Sequence, residues 1–172
     1  MGWRYMARGK VTASCEDMFV VAERDITTIA KTIEKFGLKD GNLNIKIVED
    51  ANLAVEKFLK GYLLKNNIEV LKIHELDTLH KMAFNNDTKF DNIKNECLLL
   101  NDYGSEVKYD PSLEVKEDTV EKVVEALSNV YNFSEIKTIR DELRKNNNDY
   151  PQKEYNLSEI INNYNNKNKK TY

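Results

Sequence analysis

Proline and glycine are scarce in this chain: two prolines and six glycines among 172 residues. These are the main interrupters of helix, so long windows are left unbroken and an all-α fold is favoured. Cysteine is scarce too. Cys15 and Cys97 are far apart in sequence, which excludes a disulfide framework and a closely spaced zinc motif. A reducing, cytoplasmic setting is the simplest expectation, with both thiols read as core or boundary residues. No apolar run approaches the ~20 residues that a membrane span needs. The opening "MGWRYMARGK" is basic but leads into no apolar stretch, so it does not read as a secretory signal. Met6 stands where a myristoylation pattern wants Ser or Thr. The net charge of −3 argues against broad electrostatic binding of nucleic acid, although a local basic groove stays compatible with it.

What is present is helical periodicity. Met18, Ala22, Ile26, Ile29, Ile33 and Phe36 recur at spacings of three and four and predict a first helix over about residues 14–36. Gly37 and "KDGN" supply its stop. Ile47, Val48, Ala51, Ala54, Val55, Phe58, Leu59 and Tyr62 form a broader stripe, which places the second helix centrally. Glu56 and Lys60 on it stand four apart with Glu first, an order that contributes a few tenths of a kcal/mol on an exposed face. A shorter helix turns Leu76, Leu79 and Ala83 inward, and "NNDT" interrupts it. Phe90, Ile93, Cys97 and Leu100 make the next stripe, after which "NDYGSEVKYDPS" breaks the pattern at Gly104 and Pro111. Val120, Val123, Val124, Leu127 and Tyr131 mark the last strong helix, which continues into "SEIKTIRDELRK" or restarts at Ser134. We divide the chain into a helical bundle at 1–145 and an Asn/Lys-rich tail at 146–172. That tail is either disordered or a short docking helix built on Leu157, Ile160, Ile161 and Tyr164. There is no internal repeat and no sustained heptad run.

The segment "LAVEKFLKGYLLKNNIEV" followed by "IHELDTL" resembles the signature of the HEPN domain family (higher eukaryotes and prokaryotes nucleotide-binding). Ala54, Glu56, Lys57, Leu59, Lys60 and Leu63 match the helical part, and His74, Glu75, Leu76 and Leu79 match the H-[DE]-L part. "NDYGSEVKYDPS" is similar to the later "RYP" region of many members, but Lys108 replaces the usual Arg, and Asp110 separates Tyr109 from Pro111. The resemblance implies an up-and-down helical bundle of four to five helices, often dimeric, here with a loose C-terminal tail. Many members resemble metal-independent ribonucleases. Their chemistry needs an Arg and a His four to six residues apart on a late helix, the Arg to stabilise phosphate charge and the His to move protons.

That motif is missing. The two histidines are His74 and His80, and the nearest arginine upstream of them is Arg24. Arg140 and Arg144 lie on a late helix, but no His follows them. No catalytic residue is therefore assigned, and no cofactor. Metal binding by His74 and His80 fares no better: at ~100° per residue, a separation of six puts them roughly 120° apart on a helix. His74 reads as a helix-start residue bonding nearby backbone or the preceding helix, and His80 as a surface residue. No phosphate-binding glycine loop is present. A nucleotide pocket between helices would draw on Lys57, Lys60, His74, Lys108 and Tyr109. Against it, the two helix-2 lysines also read as solvated charges.

The expectation is thus a non-catalytic helical module that binds a partner protein or a ligand. The resemblance implies a homodimer, with a nucleotidyltransferase-type partner in a bacterial toxin–antitoxin or defence pair. The alternatives are a nucleotide-binding domain or a degenerate ribonuclease, so RNA stays among the partners considered.

Overall fold

The computed structural model describes residues 9–110 and 112–169, with only the backbone of Lys169. The readings placed on the first eight residues and on Pro111 fall outside these. The described residues form seven α-helices and one short 3-10 segment. The helices pack in an up-and-down bundle, and among the described residues there is no strand beyond an isolated antiparallel bridge between Lys10 and Leu71. No described helix is long and apolar enough to cross a membrane.

Helix α1 runs Cys15–Phe36. It starts where it does because Ser14 and Asp17 form a reciprocal capping box, each side chain bonding the other residue's backbone N–H. It stops at Gly37, whose φ of 70° lies in the left-handed region. Helix α2 spans Gly41–Lys65, about 38 Å at ~1.5 Å per residue. Asp40 caps it, accepting from the N–H groups of Asn42 and Leu43. Its buried residues surround much of the circumference, and it touches α1 and the helices that follow through α6. Phe58 lies at its centre, fully buried, 5.2 Å from the Phe19 ring and 6.0 Å from the Tyr131 ring. Burying one such side chain stabilises by roughly 1.5–3 kcal/mol.

Helix α3 covers Leu76–Asn86, the 3-10 segment Thr88–Ile93, and α4 Lys94–Tyr109. The predicted break at Gly104 does not occur, and α4 runs straight through it. The glycine is there for proximity: a Cβ at 104 would stand 2.4 Å from the Asn52 side chain of α2. Asn52 Nδ2 meanwhile donates to the Leu100 carbonyl at 3.0 Å. Helix α5 (Glu117–Asn132) and α6 (Ser134–Asn146) are separate, broken at the extended residue Phe133.

The segment after 146 is not loose along its whole length. Tyr150, Tyr155 and Leu157 are buried, and α7 (Leu157–Lys169) lies on α1 and α5. Its Tyr164 ring covers Gly37, and its hydroxyl donates to Glu117 at 3.1 Å. The aliphatic content is low, but the few apolar residues fall on one face, which suffices against a preformed bundle.

Candidate functional site

Two polar centres lie inside the bundle. The first is built on α2. Glu56 is 1% exposed, and its carboxylate accepts from Lys60 at 2.6 Å and from Lys57 at 3.0 Å. His74, in the loop before α3, reaches the other carboxylate oxygen with Nδ1 at 3.2 Å. Because a carboxylate only accepts, Nδ1 carries the proton. Burial opposes the charge on Glu56, and the hydrogen bonds from Lys60 and Lys57 outweigh it, so its carboxyl is held below the usual range.

This geometry corrects two sequence readings. The Glu56–Lys60 pair is buried, with Lys60 only 3% exposed, whereas spacing alone cannot tell an exposed pair from one facing a neighbouring helix. His80 is also buried rather than on the surface, and Nε2 donates to the Phe90 carbonyl at 2.7 Å. The expectation for His74 matches what is seen: it bonds the preceding helix.

Of the five residues considered for ligand binding, His74 and Lys108 line one groove of about 220 Å³ together with Glu49, Asn52 and Glu56. Lys57 and Lys60 stand behind it on Glu56. Tyr109 is 75% exposed at the end of α4 and does not line the groove, while the Lys108 ammonium sits 5.6 Å from its ring centre. Beside this centre, Asp25 of α1 has its carboxyl pushed up to about 6 by burial and by the charge of Asp50, which is itself paired with Lys46. Among the described residues no group of three or more His, Cys, Asp or Glu could hold a metal ion.

The second centre was not assigned from sequence. Glu23 of α1 is 1% exposed and faces two arginines of α6. Its Oε1 accepts from Arg140 Nε at 2.9 Å, Arg144 Nη2 at 2.7 Å and the Tyr150 hydroxyl at 3.0 Å. Its Oε2 accepts from the Tyr131 hydroxyl at 3.0 Å. Arg140 is fully buried. It also donates to the Tyr131 carbonyl at 2.7 Å and to Glu154 at 3.0 Å, and its guanidinium stacks 3.2 Å from the Tyr131 ring centre. Burial and the Glu23 charge push the Tyr131 hydroxyl up to about 12 and raise that of Tyr150 as well. The sequence did hold a signal. Glu23 is four residues after Phe19 and three before Ile26, and Arg140 is four after Ile136, so both charges fall on apolar stripes.

An up-and-down helical bundle wound about one long central helix, with two charged clusters, on Glu23 and Glu56, turned inward, is the class these features define. Within that class the chain belongs to the HEPN domain family, whose model matches residues 16–137, most of its length. No curated protein and no solved structure matches it. HEPN domains commonly dimerise and bind RNA or nucleotides. The match includes Glu23, Glu56 and His74 but ends before Arg140 and Arg144.

Proposed function

We propose that this chain is a non-catalytic HEPN module that acts by binding a partner protein. One observation carries the reading: both late-helix arginines, the groups a phosphate-cleaving site would recruit, are spent on Glu23. Arg140 has Nε, Nη1 and Nη2 all bonded inside the protein. Withdrawing either arginine to serve a phosphate would strip a buried carboxylate of one of its two counter-charges and break the buried cluster, which costs several kcal/mol. Neither histidine stands at the family's spacing from them. A homodimer and a nucleotidyltransferase-type partner, as in a toxin–antitoxin or defence pair, are the finer forms of this proposal and rest on the family resemblance.

Nucleotide binding in the His74–Lys108 groove draws less support. Ligand clefts usually hold ~300–1,000 Å³, against about 220 Å³ here, and two of the lining residues are carboxylates that repel phosphate. The test is incubation of the purified chain with RNA in metal-free buffer, beside calorimetry with ATP, GTP and their monophosphates. We expect intact RNA and no heat of binding. RNA cleavage by the wild-type chain that is lost in His74→Ala would overturn the proposal and assign the chemistry to His74. Micromolar nucleotide binding lost in Lys108→Ala would move the function to the groove.

A further inference from the structure

A second cavity, of about 220 Å³, lies between α3, the 3-10 segment and α4. His80 and Phe84 of α3 and Cys97 and Leu98 of α4 line it, and its walls are mostly apolar. The His80 and Phe84 rings lie nearly parallel, 23° apart with centres 6.4 Å apart. Burial pushes the Cys97 thiol up to about 12, so the sulfur is a neutral, weakly polar part of the wall rather than a nucleophile. Asp77 and Lys81, ion-paired at 3.2 Å, stand at the solvent side.

The imidazole is the one buried polar side chain in this wall, and Asp77, Lys81, Asp91 and Lys94 line its more exposed side. The imidazole Nε2 lies 2.7 Å from the Phe90 carbonyl. A carbonyl only accepts, so the hydrogen is on Nε2, and in the neutral ring Nδ1 is left as an acceptor. The volume exceeds the ~150 Å³ that holds benzene in an apolar protein cavity. Water against the inner wall, between His80, Phe84, Cys97 and Leu98, would find few hydrogen-bonding partners, and displacing such water favours an apolar guest.

We propose that this cavity is a binding site for a small flat aromatic molecule carrying one N–H or O–H donor, of the size of indole or phenol. The ring lies against Phe84 and Leu98, and the donor meets His80 Nδ1. This goes beyond the partner-binding reading and stands independently of it. The probes are indole, phenol and toluene, added to the uniformly ¹⁵N-labelled full chain and followed by two-dimensional amide spectra. Indole and phenol are expected to give saturable shifts confined to α3, the 3-10 segment and the first turns of α4. Toluene, with no donor, is expected to bind roughly three- to tenfold more weakly, the effect of one hydrogen bond. Leu98 is 40% exposed and lines the cavity, so Leu98→Trp is expected to fill it while keeping the dispersed amide spectrum of a folded chain, and to abolish the shifts. Shifts that never saturate, that scatter over the bundle, or that persist in Leu98→Trp would overturn the site. Toluene binding as well as indole would overturn the role given to His80.

Discussion

Glu23 and Arg140 form an ion pair of 2.9 Å between α1 and α6 with both side chains essentially withdrawn from solvent, 1% and 0% exposed. A pair this deep is stabilising only while every lone pair and proton around it is matched. Here most of the matching comes from Tyr131 on α5, Arg144 on α6, and Tyr150 and Glu154 in the segment after α6, while Arg144 Nη1 is buried without a hydrogen bond, 3.6 Å from Asp141 and 3.8 Å from Glu154. Replacing Glu23 by Leu leaves two guanidinium groups and two hydroxyls without their acceptor. We expect a loss of about 3–5 kcal/mol in urea unfolding. The double variant Glu23→Leu/Arg140→Met should recover part of it, because Arg144 is 12% exposed and can turn towards Glu154. A single variant within 1 kcal/mol of wild type would show that the cluster contributes nothing net.

Asp25 supplies a pH dependence whose sign is opposite to that of an ordinary paired carboxylate. Its folded-state value is raised to about 6 from the usual 3.8, first by burial and then by Asp50, against the attraction of Lys46 and Lys57. The folded chain therefore holds more protons than the unfolded chain between about pH 4 and 6, and stability contributed at this site falls as pH rises through that window. A rise of this size corresponds to at most ~3 kcal/mol, and solvent screening at this part-buried position reduces it to about 1–2 kcal/mol. Asp25→Asn is expected to stabilise the protein by that amount at pH 7 and to be neutral at pH 4. Thermal melts at the two pH values check it; equal shifts at both would refute the assignment.

The Glu56 centre separates Lys60 from His74, two residues considered together for ligand binding. Lys60 is buried against Glu56, so Lys60→Ala leaves a buried carboxylate with only Lys57 and His74 to face, and about 3–5 kcal/mol should be lost. His74 has 67% of its side chain exposed, and His74→Ala is expected to cost under about 1 kcal/mol. Denaturant midpoints for the pair of variants distinguish them. A binding defect in Lys60→Ala is evidence about a ligand only once its folded fraction has been measured.

The all-α class, the limits of α1 and the inward faces of α1 to α5 were legible in the sequence because three-and-four periodicity encodes burial of apolar residues directly; Phe36, which closes the α1 stripe, is the exception and stands 56% exposed at the helix end. His74 was legible as well, since a residue at a helix start has few groups within reach. Charged residues were the blind spot. Lys60 and Glu23 carry the same residue types as solvated faces, and what distinguishes them is tertiary: Glu23 meets Tyr131 of α5 and Arg140 and Arg144 of α6, partners that no local pattern records. Gly104 was misread for a related reason: glycine means a turn by local preference, and here it means that Asn52 is too close for a side chain.

Gly37 combines both meanings, and it joins the end of α1 to α7. Its φ of 70° is a conformation that side chains rarely adopt, and a Cβ there would stand 2.6 Å from the Tyr164 ring. Gly37→Ala therefore meets backbone strain of ~1–3 kcal/mol and must also displace the ring. Tyr164 would lose its seat and its hydrogen bond to Glu117, whereas Leu157 and Ile161, buried further along α7, keep theirs. The expected outcome is a drop in global stability of about 1–3 kcal/mol, together with faster amide exchange in the C-terminal half of α7 and unchanged exchange around Leu157. Tyr164→Ala on the Gly37→Ala background removes the steric clash and leaves the backbone term together with the lost Tyr164 packing and hydrogen bond. Recovery of part of the lost stability in that double variant, read by urea unfolding, separates the clash from the rest. No recovery would assign the whole effect to the backbone and the lost Tyr164 contacts.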